Sequence, residues 1–576
     1  MKNTKSHQQL TRRYLLQGSV AVAATSLLSG CDNALSSAFD PSSDIGGNSL
    51  RPHLTQPTPS GTPQTATLTV SSQTASYPPI IPATNFMGIS CPKSSVYSSL
   101  WENYSGNIGG FFSSLATAQS SSSPGPILLR VAGSDADTLT YTPEGAGGTE
   151  GQIANSDINN LATFLIATGC QVIYGLNLAG QYTEPTPTTS VALTSAEATY
   201  VYNKLSTAGP GGTSLLYAFE IGNEPDLYPQ QVVAGGRYAN LPSTYGTASD
   251  PNYGGYKTDW NTMYASITGS SYLNSTSVPF IGPACSGDYE YYTEPWAEAE
   301  GTSKLQLITQ HYYKGNGSNE SQDTESFLID YPDSTLMTEI ESLQSAATTM
   351  FGSSGGQYKW RMDEGNSYYN QSAAGLGNGY GAALWAIDQM FTLADYGSNG
   401  MNFMTTPGAD SGDTGGFAPV GYTPPTGAIV QVRPIFYGMM FVSMMGTGTL
   451  CPTSLSVPGD SGINCTAWAL LSASGNMRVM VNNKDASNYL NLTIKIPGTS
   501  TITGASCFEL NQTGGTEGLM STTGVAIQGC TISDTGVWSP SAPSAATQYT
   551  LTYNASARTV TVVIPCLTAV LVHVSM

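Results

Sequence analysis

The run Leu215-Leu216-Tyr217-Ala218-Phe219-Glu220-Ile221 leads directly into Gly222-Asn223-Glu224-Pro225, and this junction decides the fold. An apolar stretch of this length reads as a buried strand, with the loop that follows at its carboxyl end. Asn-Glu-Pro at that point holds a carboxylic acid on the rim of a cleft, beside an amide able to hydrogen-bond a sugar hydroxyl. Glu224 is thus the first candidate for chemistry. Glu220, on the same strand, is expected to face the interior as a support.

Outward from this strand the chain repeats a unit of short apolar run, loop and helical segment from Asn85 to about Thr405, the pattern of a parallel barrel. Eight runs can be placed: Asn85 to Ser90, Ile127 to Ala132, Gln171 to Leu178, Leu215 to Ile221, Val278 to Ala284, Leu305 to Tyr313, Gln357 to Met362 and Gly397 to Met404. One intervening helix begins near Ser156-Asp157 and stops at Gly169. Thr194-Ser195-Ala196-Glu197 has the form of a capping box opening another, which ends at Gly209-Pro210. The expected architecture is α/β, a (β/α)8 TIM barrel over 85–432. Beyond Arg433 a Met-rich helical stretch (Met439, Met440, Met444, Met445), expected as core at the domain junction, gives way to alternating runs such as Met477 to Val481, Leu490 to Ile496, Tyr549 to Tyr553 and Thr559 to Ile564. These predict a C-terminal antiparallel β-sandwich over 433–576. Thr65 to Val70 alternates likewise, so residues 65–84 are expected to add an N-terminal strand to the edge of that sandwich.

At 576 residues the chain has material for a large core and a satellite domain. Only 10% of residues are charged and the formal net charge is -20. That balance excludes nucleic acid as a natural partner and disfavours polyanions such as heparan sulfate. Residues 1–31 read as a targeting segment: Arg12-Arg13 precede a modest apolar run ending Leu28-Ser29-Gly30-Cys31, which resembles a twin-arginine signal joined to a lipoprotein box. Cys31 would then carry the lipid, and the protein would be exported and tethered to a bacterial envelope membrane. The alternative is an ordinary cleaved signal with a coincidental cysteine. Residues 32–64, rich in Ser, Pro, Gly and Thr, are expected to be a flexible tether. The last five of the remaining eight cysteines fall in the C-terminal part, with room for one or two disulfides of open connectivity. No cysteine pair has metal-ligand spacing and the four histidines assemble no metal set, so neither metal nor cofactor is expected.

A glycosidic bond is most simply cleaved by two carboxyl groups. The seventh run continues as Arg361-Met362-Asp363-Glu364-Gly365-Asn366-Ser367, placing Glu364 at a strand end roughly opposite Glu224. Asp363, one position earlier, is expected to point away from Glu364 and to be structural, because neighbours on a strand alternate faces. His311 reads equally as a buried histidine satisfied by the backbone or as a substrate contact. Tyr291, Tyr292 and Trp296 offer either a sugar-stacking wall or plain loop packing.

The ordered set Asn85-Phe86-Met87-Gly88-Ile89-Ser90, Leu129-Arg130-Val131-Ala132-Gly133-Ser134, Tyr174-Gly175-Leu176-Asn177, Glu220-Ile221-Gly222-Asn223-Glu224-Pro225, His311-Tyr312-Tyr313, Ala383-Leu384-Trp385-Ala386 and Arg433-Pro434-Ile435-Phe436-Tyr437-Gly438-Met439 resembles glycoside hydrolase family 79. This is the β-glucuronidase and heparanase family among the retaining hydrolases of clan A. The resemblance implies Glu224 as acid and base, Glu364 as nucleophile, Asn223 on the sugar 2-hydroxyl, and Tyr312 donating to Glu364. It implies Arg130 and His311 as supports, and Ser134, Asn177, Asn370, Gln371 and Tyr422 as substrate contacts. Glu224 would be protonated in the first step, its pKa raised most of all by Glu364.

Departures from the family cluster around the sugar. Cys91-Pro92 stands where β-glucuronidases commonly carry Tyr-Glu, Ala132-Gly133-Ser134 where Gly-Gly-Asn is usual, and Tyr369-Asn370-Gln371-Ser372 where a Gly-rich turn offers amides to the uronate carboxylate. The expected activity is that of a retaining exo-acting β-glycosidase, foremost a β-glucuronidase, on a glycoside or oligosaccharide. The alternatives are the same mechanism on a neutral sugar such as xylose or glucose, and a glycan-binding lipoprotein without hydrolysis.

Overall fold

The computed structural model describes residues 55–72, 85–183 with gaps at 99, 104–107, 113–114 and 116–126, then 189–229, 254–287, 293–352 except 302, 358–405 except 371, 417–423, 428–513 except 460–461, 518–532 and 548–576. The segment expected to be a signal, Cys31, most of the expected tether, Tyr291, Tyr292 and Gln371 lie outside the described residues.

Eight parallel strands close into a barrel. In chain order they are Met87–Pro92, Leu128–Ala132, Gln171–Leu176, Leu216–Ile221, Phe280–Cys285, Leu305–Asn316, Trp360–Tyr369 and Met401–Met404, called strands one to eight below. Each falls on one of the eight apolar runs. Strands six and seven run past their expected ends by three and seven residues, because the polar segments that follow the apolar runs keep pairing, Glu364 with His311 and Asn366 with Tyr313. Inside the barrel, Leu128, Ile173, Ala218, Ile281 and Leu307 form an apolar floor. Two residues further along strands two and four, on the same inward face, come Arg130 and Glu220, both with no exposed surface. The interior thus turns from apolar to ionic one step before the carboxyl ends, where barrels of this kind carry their chemistry.

Helices cover the outside. Asn155–Thr168 ends at Gly169, whose φ of 71° is the left-handed conformation of a C-terminal cap. The next helix, Val191–Leu205, starts earlier than expected. Ser190 is its cap, accepting from the Leu193 amide, and Thr194 and Glu197 are buried inside the helix. Glu197 is unavailable for capping because Lys93 Nζ, fully buried, lies 2.8 Å from it. Asp333 caps Ser334–Phe351, accepting from the Thr335 and Leu336 amides.

A second core belongs to two facing sheets, one antiparallel throughout and one antiparallel except for a single parallel pairing. One runs, in spatial order, Thr453–Ser456, Thr62–Val70, Asn488–Lys495, Thr559–Ile564, Thr552–Asn554; the other is built around Met477–Asn483, Thr568–Ser575 and Gly504–Gln512. Ala66, Leu68 and Val70 pack inward with Leu492, Ile494, Val560, Val562, Val570 and Val572, which is the alternation legible in the sequence. The N-terminal strand does not sit at an edge. It is inserted, antiparallel to Thr453–Ser456 and parallel to Asn488–Lys495, and it starts at Thr62. Ahead of it, Gln56 is already held by Glu509 and Val563, so the ordered chain reaches into the stretch read as tether. The helix Pro434–Ser443 is buried along its length, and Met439, Met440, Met444 and Met445 belong to the large core shared with the barrel. All eight described cysteines are free, so the expected C-terminal disulfides do not form.

Candidate active site

Strand four ends in a loop whose backbone is fixed at each step. Gly222 has φ 82°, and a Cβ there would lie 2.7 Å from the Tyr228 hydroxyl; only glycine leaves room for that phenol. Tyr228 donates to Asp137 Oδ2 at 2.6 Å, and the Asn223 amide lies 3.3 Å from the same oxygen. Glu224 adopts φ 50°, its amide donating to the Ala284 carbonyl on strand five. Asp226 then accepts from the Ser286 and Gly287 amides. Two buried aspartates, 137 and 226, thereby pin Asn-Glu-Pro between the loops after strands two and five.

Glu364 is presented differently. Strand seven carries a bulge between Met362 and Glu364 against strand six. The extra residue breaks alternation, so Asp363 does not turn away as expected. Arg130, at the centre, faces both: its Nη1 is 2.6 Å from Glu364 Oε2 and its Nε is 3.5 Å from Asp363 Oδ2. The same guanidinium contacts Glu220 at 2.5 Å, Asn223 Oδ1 at 2.9 Å and Ser90 Oγ at 3.1 Å. His311 on strand six lies between the two carboxylates, its Nδ1 3.0 Å from Glu224 Oε1 and 4.0 Å from Glu364 Oε1. One carboxylate oxygen from each glutamate and a ring nitrogen of His311 all lie within 4.8 Å of one another. Three such ligands are a metal-like set, but Arg130 already points its charge at Glu364, and a cation there would meet a cation. The donor set therefore fits an acid/base pair better than a metal centre.

The phenol on Glu364 is not the expected one. Tyr313 donates to Glu364 Oε1 at 2.9 Å, while Tyr312 points outward and donates to Asp333. Strand alternation is the reason: His311 and Tyr313 share the inward face, and Tyr312 takes the other. That period was available in the sequence. Asp137, Tyr228 and Asp226 left no such local signal, since their role depends on loops meeting.

The two glutamates are driven in opposite directions. Burial raises the pKa of Glu224 most, the His311 contact lowers it, and Glu364 adds a smaller upward push, so burial and not repulsion leads. Burial also pushes Glu364 up, but His311, Arg130 and the Tyr313 hydroxyl outweigh it and hold that carboxyl below its usual range. His311 is itself raised: burial opposes its charge, and Glu364 and Glu224 overcome that.

The remaining expected contacts are scattered. Ser134 is exposed beside Gly133, at which a Cβ would lie 3.9 Å from Glu364 Oε2, so this turn borders the cleft. Asn177 is buried with both ends of its amide engaged, donating to the Leu139 carbonyl and accepting from the Gly180 amide; it ties loops together and does not face a ligand. Asn370 is exposed, bridging strands six and seven through Asn316. Tyr422 is fully buried with its hydroxyl against the Cys91 thiol; burial pushes that thiol up to about 12. Trp296 is core, not a sugar platform: it has no exposed surface and packs edge-on to Trp260.

The sequence matches no protein-family model and no curated protein. Solved structures do share the fold. The 4-O-α-L-rhamnosyl-β-D-glucuronidase of Fusarium oxysporum 12S, solved with Rha-GlcA, superposes with a TM-score of 0.64 at 16% identity over 88% of this chain and 99% of its own. The family 51 arabinofuranosidase of Xanthomonas axonopodis pv. citri gives 0.53 at 13% identity, over 89% and 100%. The family 44 endoglucanase Cel44A of Clostridium thermocellum gives 0.53 at 11%, over 89% and 100%. The likeness is one of fold: an eight-stranded parallel barrel joined to a β-sandwich.

Proposed function

We propose that this protein is a retaining, exo-acting β-glycoside hydrolase of the family 79 type, acting foremost on β-glucuronides. The observation that carries the reading is the pairing of Glu224 and Glu364, with carboxylate oxygens within 4.8 Å and pKa values pushed apart. Retaining enzymes hold their carboxyl groups about 5 to 5.5 Å apart, whereas inverting ones leave about 6.5 to 9.5 Å for a water. In this reading Glu364 attacks the anomeric carbon as Glu224 gives its proton to the departing glycosidic oxygen. Glu224 then takes a proton from water, which attacks the same carbon and frees Glu364. Esterification of Glu364 removes its charge in the intermediate, relaxing Glu224 toward the basic role. Arg130 holds the Asn223 carbonyl, which leaves the Nδ2 donors to the sugar 2-hydroxyl.

A neutral sugar is the second reading, and one observation favours it. Arg130, which contacts Glu364, is engaged by Glu220, Asp363 and Glu364, so it is not free to receive a uronate carboxylate. The glucuronidase reading leans on the motif resemblance and on the Fusarium fold neighbour. A panel of nitrophenyl β-glycosides, with the first-formed anomer followed by proton NMR, separates the readings. Glucuronide turnover with retention is expected. Turnover of xyloside or glucoside alone sinks the glucuronidase reading, inversion sinks the mechanism, and no cleavage across broad glycan libraries leaves a binding protein. We also infer export by the twin-arginine route and tethering through a lipid on Cys31; a Cys31→Ala chain released from the membrane fraction is the expected outcome.

A further inference from the structure

Beneath the reacting pair lies a second pair of carboxyl groups that double displacement does not use. Glu220 on strand four and Asp363 on strand seven have no exposed surface, and both turn to one guanidinium nitrogen. Arg130 Nε is 3.2 and 3.4 Å from the two Glu220 oxygens and 3.5 Å from Asp363 Oδ2. Asp363 reaches this position through the bulge in its strand. Neither of its oxygens has a hydrogen-bond partner among the described residues, the least favourable condition for a buried carboxylate.

Arg130 offsets the Asp363 charge across 3.5 Å, but no side chain among the described residues supplies the missing hydrogen bond. Arg130 directs its other donors to Glu220, Asn223, Ser90 and Glu364. His311 Nε2 is 3.8 Å from Asp363 Oδ1, beyond hydrogen-bond reach. Arg361, two residues earlier on the same strand, donates to Asn402, the Asn85 carbonyl and Asn399. Tyr256, near Glu220, is a buried neutral phenol.

We propose that Glu220 and Asp363 hold a single proton between them, as an acid and carboxylate pair that positions Arg130 beneath the nucleophile. The proton supplies the donor that Asp363 lacks and leaves the pair one negative charge, which matches Arg130. Two negative charges there would compete with Glu364 for the guanidinium and favour protonation of Glu364. With one, Arg130 Nη1 stays on Glu364 Oε2 and the nucleophile stays ionised. Burial drives Glu220 far above the ordinary carboxylate range against the pull of Arg130, and Asp363 adds to the rise, which assigns most of the proton to Glu220. Both are positioning residues, since neither reaches the cleft.

The kinetic consequence rests on Glu364 being the nucleophile; the protonation itself does not. Infrared difference spectra at pH 7 compare Glu224→Gln with Glu224→Gln/Glu220→Gln, in both of which the Glu224 acid is removed. A carboxylic-acid carbonyl band present in the first and missing from the second is expected; no difference overturns the proposal even if the protein hydrolyses nothing. In the pH profile of kcat/KM, Glu220→Gln and Asp363→Asn each keep one negative charge, so the acid limb stays in place. The double variant loses that charge, and the limb moves down by about one pH unit, a tenfold change in proton affinity. A downward move in either single variant shows two ionised carboxylates and overturns the proposal.

Discussion

The loop after strand four and the middle of strand seven each deliver one glutamate to the same cleft, and they do it by opposite means. Glu224 sits on a left-handed loop residue with 22% of its side chain exposed, whereas Glu364 lies inside a strand with 9% exposed. The more buried acid is the one held ionised. Burial alone would give the reverse order, so neighbouring charge and bound donors decide: His311 and Arg130 lower Glu364 by their charge and Tyr313 and Arg130 donate to it, while among the described residues the side-chain contact to Glu224 is one histidine nitrogen. Exposure is therefore a poor guide to protonation here, and the neighbouring positive charge and fixed donors a good one.

The comparison can be tested in order of severity. Replacing Glu364 by Ala removes the proposed nucleophile, and kcat for any glycoside is expected to fall by at least about 10⁴-fold; retention of more activity than that would assign the role elsewhere. Glu224→Ala is expected to cost about 10² to 10⁴-fold on substrates with poor leaving groups. Far less should be lost with nitrophenyl leaving groups, and azide should restore turnover as a glycosyl azide. If neither condition rescues it, Glu224 is not the proton donor. The smallest change compares neighbours. Tyr313→Phe removes a hydrogen bond to a charged group, a loss of about 1.5 to 3 kcal/mol, or roughly 10 to 150-fold in kcat/KM. The sign of its pH effect is fixed: activity disappears as pH falls through the depressed pKa of Glu364, and losing a donor raises that pKa, so the acid limb moves to higher pH. Tyr312→Phe leaves that limb alone and is read in the melting temperature. Equal shifts in both variants would show that the two tyrosines do not divide the roles as their contacts indicate.

The eight strands were legible because strands of a parallel barrel are covered on both sides and read as apolar runs. The same criterion failed where strands enter the site. Asp363 to Ser367 look like loop in the sequence, yet each is buried and part of strand seven, since groups on other strands, Arg130 and Tyr313 for Glu364 and the Met404 carbonyl for Asn366, take the place of solvent. Glu224 and Glu364 were readable as motif residues. The bulge at Asp363 was not, because a bulge is a mismatch between two strands and neither sequence alone contains it. The motif resemblance points to Tyr312, whereas the strand period favours Tyr313. The turn from Ser190 to Glu197 shows the converse error: a capping pattern was present, but Lys93 from another loop claimed its acid.

The insertion of Thr62–Val70 between two later strands has a consequence for how the chain is made. Its parallel partner begins at Asn488, about 430 residues downstream, so at roughly 5 to 20 residues per second the first strand waits on the order of 20 to 90 s for it. During that interval Ala66, Leu68 and Val70 have no sheet to cover them, and the strand exposes two unpaired edges. The sandwich is thus a late seam: synthesis of the entire barrel separates the two halves of this sheet, and the oldest part of the chain is among the last to find its place.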